Sequence, residues 1–175
     1  HITGYYNMIA GFIKYLSTAT GEKNGKLALF PGFVNPGDMR EMKRLMKLMG
    51  TEFIMLPDTS GVLDAPMTGT YTMYPKGGTT IPDIRDLGNC ELTLGLGELT
   101  SEFPADFLEK KCKVPYKTLP LPIGVENTDA FIMALNQFSK NEVPYEIEEE
   151  RGQLMDILLD SHQYTNNKTV AIFGD

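Results

Sequence analysis

Short apolar runs alternate with longer stretches of helical periodicity along this chain, and that alternation limits the fold more than any other feature. The runs are 26-KLALFPG-32, 51-TEFIMLP-57, 91-ELTLGLG-97, 116-YKTLPLP-122 and 169-TVAIF-173. Each is five to seven residues of mostly apolar character, the mark of a strand covered on both faces. Between them lie helical patterns over 5–18, 37–49, 81–87, 103–112, 125–139 and 144–165. Asn35 and Pro36 suit the N-cap and first turn of the second helix, with Gly50 as its stop. Thr80 with Asp83 resembles a capping box for the third. Strand–helix alternation of this kind predicts an α/β fold: a mainly parallel, doubly wound, Rossmann-like sheet with helices on both faces. Ligands of such sheets bind beyond the C-terminal strand ends, here Phe30–Phe33, Pro57–Ser60, Gly95–Glu98 and Pro120–Gly124.

The chain has 175 residues, enough for one domain with a proper core. A net charge of −7 argues against general nucleic-acid or anionic-membrane binding, since both require basic patches. No apolar run reaches the roughly 18–20 residues of a membrane span, and no secretory leader is visible. Two cysteines, Cys90 and Cys112, are too few and too distant for a zinc knuckle or a disulfide framework. They read as reduced thiols of a cytoplasmic protein. The chain starts at His1 and stops two residues after an apolar run. It is therefore expected to be a piece of a longer polypeptide, with 1–140 a central α/β domain and 141–175 a helix and strand leading into the next.

Several short motifs admit a plain reading. Gly95-Leu96-Gly97 follows a strand as a dinucleotide fingerprint would, but Thr100 stands where the third glycine belongs, and the helix is expected to start too late. Tight turning or close packing accounts for those glycines. The segment 75-PKGGTT-80 could hold an anion at a helix N-terminus, yet a turn is the simpler reading. No nucleophile elbow and no cysteine–histidine pair of diagnostic spacing occurs. His162 reads as a satisfied helix residue. The segment 58–79 is a long irregular connection, of the length that usually has a task or packs as an Ω-loop.

The stretch 149-EERGQLMDILLDSHQY-164 is different. Asp156 and Asp160 lie about one helical turn apart and point the same way. On a helical wheel Leu154, Met155, Ile157, Leu158 and Leu159 cover an arc of roughly 200°, so this helix is expected to be covered on more than one side, leaving a thin acidic stripe. Periodicity by itself favours a solvated stripe, then a metal or partner site. An acid/base pair comes last, because no nucleophile or pocket motif accompanies it.

Five segments together carry a family resemblance: 1-HITGYYNM-8, 32-GFVNPGDMREMKRLMKLMG-50, 56-LPDTSGVLDAPMTGTYTMYPKGGT-79, 109-EKKCKVPYKTLPLPIGVENTDAFIMAL-135 and 149-EERGQLMDILLDSHQY-164. Through them the chain resembles the β subunit of nitrogenase component 1, most closely the molybdenum–iron type in its shorter, clostridial-like form. The resemblance implies three Rossmann-like domains per subunit and an α2β2 tetramer that reduces N2 to ammonia. Its partners would be the nitrogenase α subunit, a second β subunit and the electron-donating iron protein. It implies an [8Fe–7S] P-cluster whose β-side cysteines lie outside these residues, and an iron–molybdenum cofactor held by the α subunit. The α subunit's cysteine ligand sits near the end of the strand equivalent to 91–97, where this chain has glycine and leucine. Cys90 is several residues too early to substitute, which favours β over α. The resemblance further implies that Asp156 and Asp160 supply half of a structural divalent-cation site between two β subunits, without saying which cation. Within the family the alternatives are a cofactor-assembly scaffold and the β subunit of a vanadium or iron-only system. Outside it, the alternative is a nucleotide- or small-ligand-binding α/β domain.

Overall fold

The computed structural model describes residues 1–173, and the chain forms two compact units, His1–Glu142 and Val143–Asp175. The first contains four parallel strands, β1 (Leu27–Phe30), β2 (Phe53–Met55), β3 (Leu92–Leu96) and β4 (Tyr116–Leu119), in the order β2-β1-β3-β4. Its helices are α1 (Ile2–Leu16), α2 (Pro36–Leu48), α3 (Ile81–Asp86), α4 (Glu98–Cys112) and α5 (Gly124–Ser139). The second unit contains α6 (Tyr145–Thr165).

The winding follows from the strand order. From β1 the chain moves outward to β2 through α2, then returns past β1 to β3 through α3, and continues to β4 through α4. Right-handed crossovers in opposite directions put α2 on one face and α3 and α4 on the other. The core agrees. Ile84 of α3 and Ala105 and Leu108 of α4 join Ile9 and Ile13 of α1 in one buried cluster with Ala28, Phe30, Ile54 and Leu56. Leu27 and Leu94 alternate to the opposite face, where they line one cavity with Ala134 and Phe138 of α5. The expected doubly wound parallel sheet is thus the one observed.

Helix starts obey local chemistry. In α2 the Asp38 carboxylate accepts the Asn35 backbone N–H at 3.0 Å, and Pro36 occupies the first turn, where a missing N–H costs nothing. In α3 Thr80 Oγ1 accepts the Asp83 N–H at 3.3 Å, and the Asp83 carboxylate accepts the Thr80 N–H at 3.2 Å. That closes the capping box read in the sequence.

Two expectations fail for physical reasons. Helix α4 begins at Glu98 rather than 103. Pro104 looks like a first-turn proline but lies well inside the helix, where it withholds an N–H from the Thr100 carbonyl. The apolar run 169–173 forms no strand; its backbone is irregular and exposed. A strand exists only through pairing, and among the described residues nothing pairs with it.

Candidate functional site

Helix α6 carries the acid pair. It starts after Pro144 with Glu146 and Glu148 in its first turn and ends with His162 in its last, both favourable to the helix dipole. Asp156 and Asp160 are exposed. The recorded bond at Asp160 uses its backbone carbonyl, which accepts Gln163 Nε2 at 3.1 Å. Both aspartate side chains lie on the exposed surface of the helix. No group of three or more His, Cys, Asp or Glu side chains able to hold a metal occurs among the described residues.

The rest of α6 corrects the expectation that it is covered on more than one side. Its arc lies open, from 38% exposure at Met155 to 74% at Leu159, and Ile147 is its one buried residue. A single helix with a trailing segment cannot cover its own apolar arc. His162 is exposed as well, its carbonyl accepting the Asn166 N–H at 2.9 Å.

Three of the four expected strand ends come together. Phe33, Gly97, Glu98, Pro120, Leu121 and Ile123 line one cavity of about 670 Å³. Asp58 and Ser60 lie elsewhere. The chain leaves β1 toward β2 and β3 toward β4, so the topological switch point falls between β1 and β3. The two turns that meet there pack closely. Gly32, at φ 81°, lies so near β3 that an added Cβ would be 2.7 Å from the Leu96 carbonyl oxygen and 2.9 Å from Leu121 Cδ2. Tyr5 Oη donates to the Gly32 carbonyl at 2.6 Å over the same turn.

The glycines of 95–97 serve packing and turning. A Cβ on Gly95 would meet Ser101 Cβ at 2.9 Å, where α4 presses on β3, and Gly97 turns the chain at φ 73°. The helix does start directly after the strand, so the distance argument against a nucleotide falls. A different one replaces it: Glu98 sets a carboxylate in the first turn of α4, where a phosphate would need to sit. Gly77 and Gly78 bear out the turn reading of Pro75–Thr80. An added Cβ would be 3.0 Å from the Ser60 carbonyl at Gly77 and 2.9 Å from the Asp58 carbonyl at Gly78.

Cys90 and Cys112 are free, buried and part of the main core cluster. Burial pushes the Cys90 thiol up to about 11 and raises Cys112 as well. Both pack as small apolar side chains of the core.

One polar centre carried no sequence signal. Lys43 of α2 donates to Asp58 at 2.7 Å and also bonds the Ser60 hydroxyl. Asp58 accepts the Ser60 N–H at 2.9 Å, and its own N–H donates to Thr79 Oγ1 at 2.8 Å. Burial raises the Asp58 carboxyl, but hydrogen bonds from Lys43 and Ser60 outweigh it and leave it below the usual range. A lowered folded pKa stabilises above the unfolded value and loses that contribution as pH falls through the folded one. Acid destabilisation from this centre is therefore expected below about pH 4. Urea midpoints between pH 2 and 6 should show a component present in the natural protein and missing in Asp58→Asn; identical profiles would refute it.

A four-stranded parallel sheet in the order β2-β1-β3-β4, with helices on both faces and both thiols in its core, defines a doubly wound α/β module. The chain belongs to the nitrogenase component 1 type oxidoreductase family, whose family model matches residues 1–175. It is 58% identical over its whole length to the nitrogenase molybdenum-iron protein beta chain of Clostridium pasteurianum and 41% identical over 98% of its length to that of Methanococcus maripaludis. It is 35% identical over 99% of its length to the nitrogenase iron-iron protein beta chain of Rhodobacter capsulatus. Among solved structures, a chain of nitrogenase Cp1 at pH 6.5 superimposes with a TM-score of 0.97 at 58% identity, covering all of this chain and 38% of that one. The chain spans 38% of the length of each of these three relatives.

Proposed function

We propose that this chain is the central α/β region of the β subunit of a molybdenum–iron nitrogenase component 1. The assembled protein would be an α2β2 tetramer that reduces N2 to ammonia with electrons from its iron protein. The observation that carries this reading is the 58% identity over all 175 residues to a molybdenum-iron beta chain, against 35% to an iron-iron one. In this reading residues 1–140 are a central domain and 141–175 lead into the next. The P-cluster and the iron–molybdenum cofactor would hold the redox chemistry, with ligands outside these residues. The burial of Cys90 and Cys112 in the main core cluster supports that.

The task of this region is then architectural. Asp156 and Asp160 would give two carboxylates to a divalent cation between two β subunits, and a second chain would complete the oxygen shell. Uncovered apolar residues on the same helix support an interface there. In the full-length tetramer, Asp156→Asn with Asp160→Asn should remove the structural divalent cation and weaken β–β association, leaving iron–sulfur cluster content unchanged. Metal analysis with analytical ultracentrifugation reads both. Unaltered cation content and an unaltered tetramer would overturn the assignment.

A further inference from the structure

The long connection 58–79 is built in two parts with opposite character. Its neck is locked. Lys43 holds Asp58 and Ser60, Thr79 Oγ1 donates to the Met55 carbonyl at 2.7 Å, and Gly77 and Gly78 pack on the backbone of Ser60 and Asp58. Arg40, one turn before Lys43 on α2, pairs with Asp64, whose carboxylate also accepts the Gly61 N–H at 2.7 Å. Two cations of one helix thus fix one side of the neck, and the other side closes on it.

The head, 65-APMTGTYTMYP-75, has no charged side chain. Met67, Tyr71, Met73 and Tyr74 are all exposed. Within it Thr68 Oγ1 donates to the Thr70 carbonyl at 3.4 Å, and the rings of Tyr71 and Tyr74 stand open to solvent. Tyrosine and methionine without charge are the composition of an interface centre. Locking the neck lowers the ordering cost the head pays on docking. The absence of basic residues in the head, on a chain of net charge −7, speaks against an anionic membrane or nucleic acid as its target.

We infer that residues 65–75 form a preorganised docking arm that seats on a neighbouring α/β domain of the same subunit. This rests on the reading of the chain as the middle of a longer subunit, in which the chain accounts for 38% of the length of its relatives. The arm leaves the C-terminal end of β2, the edge strand of the sheet, and its uncharged surface requires an apolar face with backbone groups for the tyrosine hydroxyls. A domain tethered on the same polypeptide meets the arm at high effective concentration, without competition from free partners.

The test uses the full-length subunit in its purified assembly, with Tyr71→p-benzoylphenylalanine and peptide mapping after irradiation. The expected adduct joins position 71 to a peptide of the same subunit outside these 175 residues. Adducts confined to another subunit, to a second copy or to no protein would overturn the docking. Hydrogen exchange of the natural assembly gives an independent reading: amides of 65–75 should exchange at least tenfold slower than an unprotected peptide, and exchange at the unprotected rate would overturn it. If the full-length polypeptide holds no further α/β domain, the subunit reading itself fails. If it holds one and the adduct lies elsewhere, only the docking fails.

Discussion

Gly32→Ala should lower the unfolding free energy by about 2–4 kcal/mol, with urea midpoints falling at unchanged slope. Two costs combine. At φ 81° an alanine pays the left-handed backbone penalty. Its Cβ then meets the Leu96 carbonyl oxygen at 2.7 Å. Leu121 can swing its side chain away, but the Leu96 carbonyl cannot move cheaply, because Ser101 Oγ donates to it at 2.6 Å and fixes the start of α4. Relief of the clash therefore separates the β1–α2 and β3–α4 turns that meet at the switch point. Gly37→Ala is the control. It sits in the first turn of α2, with Arg40 Nη2 3.8 Å away as the nearest neighbour an added Cβ would meet. That replacement should be neutral or stabilising by a few tenths of a kcal/mol. Equal effects at the two glycines would refute the close packing of Gly32 on Leu96.

The sheet was legible in the sequence because its signals are local. Runs such as 27-LALF-30 are buried on both faces, and a run of that kind has few alternatives to a central parallel strand. Caps at Asn35 and Thr80 were legible for the same reason: each motif is completed within three residues. What stayed hidden depends on distant contacts. Pro104 can begin a helix or interrupt one, and only the position of Glu98 directly after β3 decides between them. The run 169–173 has strand composition, but composition cannot supply a neighbour. Lys43 and Asp58 are separated by a helix end and a strand, so no periodicity joins them. Of the candidate site, the spacing of Asp156 and Asp160 was plain, whereas the uncovered state of α6 depends on which parts of a chain are present to cover it.

The largest loss is expected at Phe30. Phe30→Ala should cost about 3–5 kcal/mol, measured by urea unfolding followed through far-UV circular dichroism. The side chain is fully buried in the cluster formed by α1, α3, α4 and the sheet. Its neighbours cannot close the gap. Phe30 pairs in register with Gly95 on β3, and Gly95 with Thr118 on β4, so one large side chain stands beside two small ones on the α4 face. Ser101 of α4 already lies against Gly95, close enough that an added Cβ there would be 2.9 Å away. The helix is thus at its limit of approach over β3 and cannot settle into a hole over β1. A void stays, and its lining forfeits dispersion contacts as well as transfer energy. Leu159→Ala sets the scale from the other unit. With 74% of Leu159 exposed, its loss in this chain should stay within about 0.5 kcal/mol. In the proposed full-length tetramer the comparison changes: if α6 is sealed by a second β subunit, Leu159→Ala should weaken assembly there, and Phe30→Ala should act through folding alone. A Leu159→Ala assembly that dissociates over the same concentration range as the natural one would show that the exposed arc of α6 is no part of the interface.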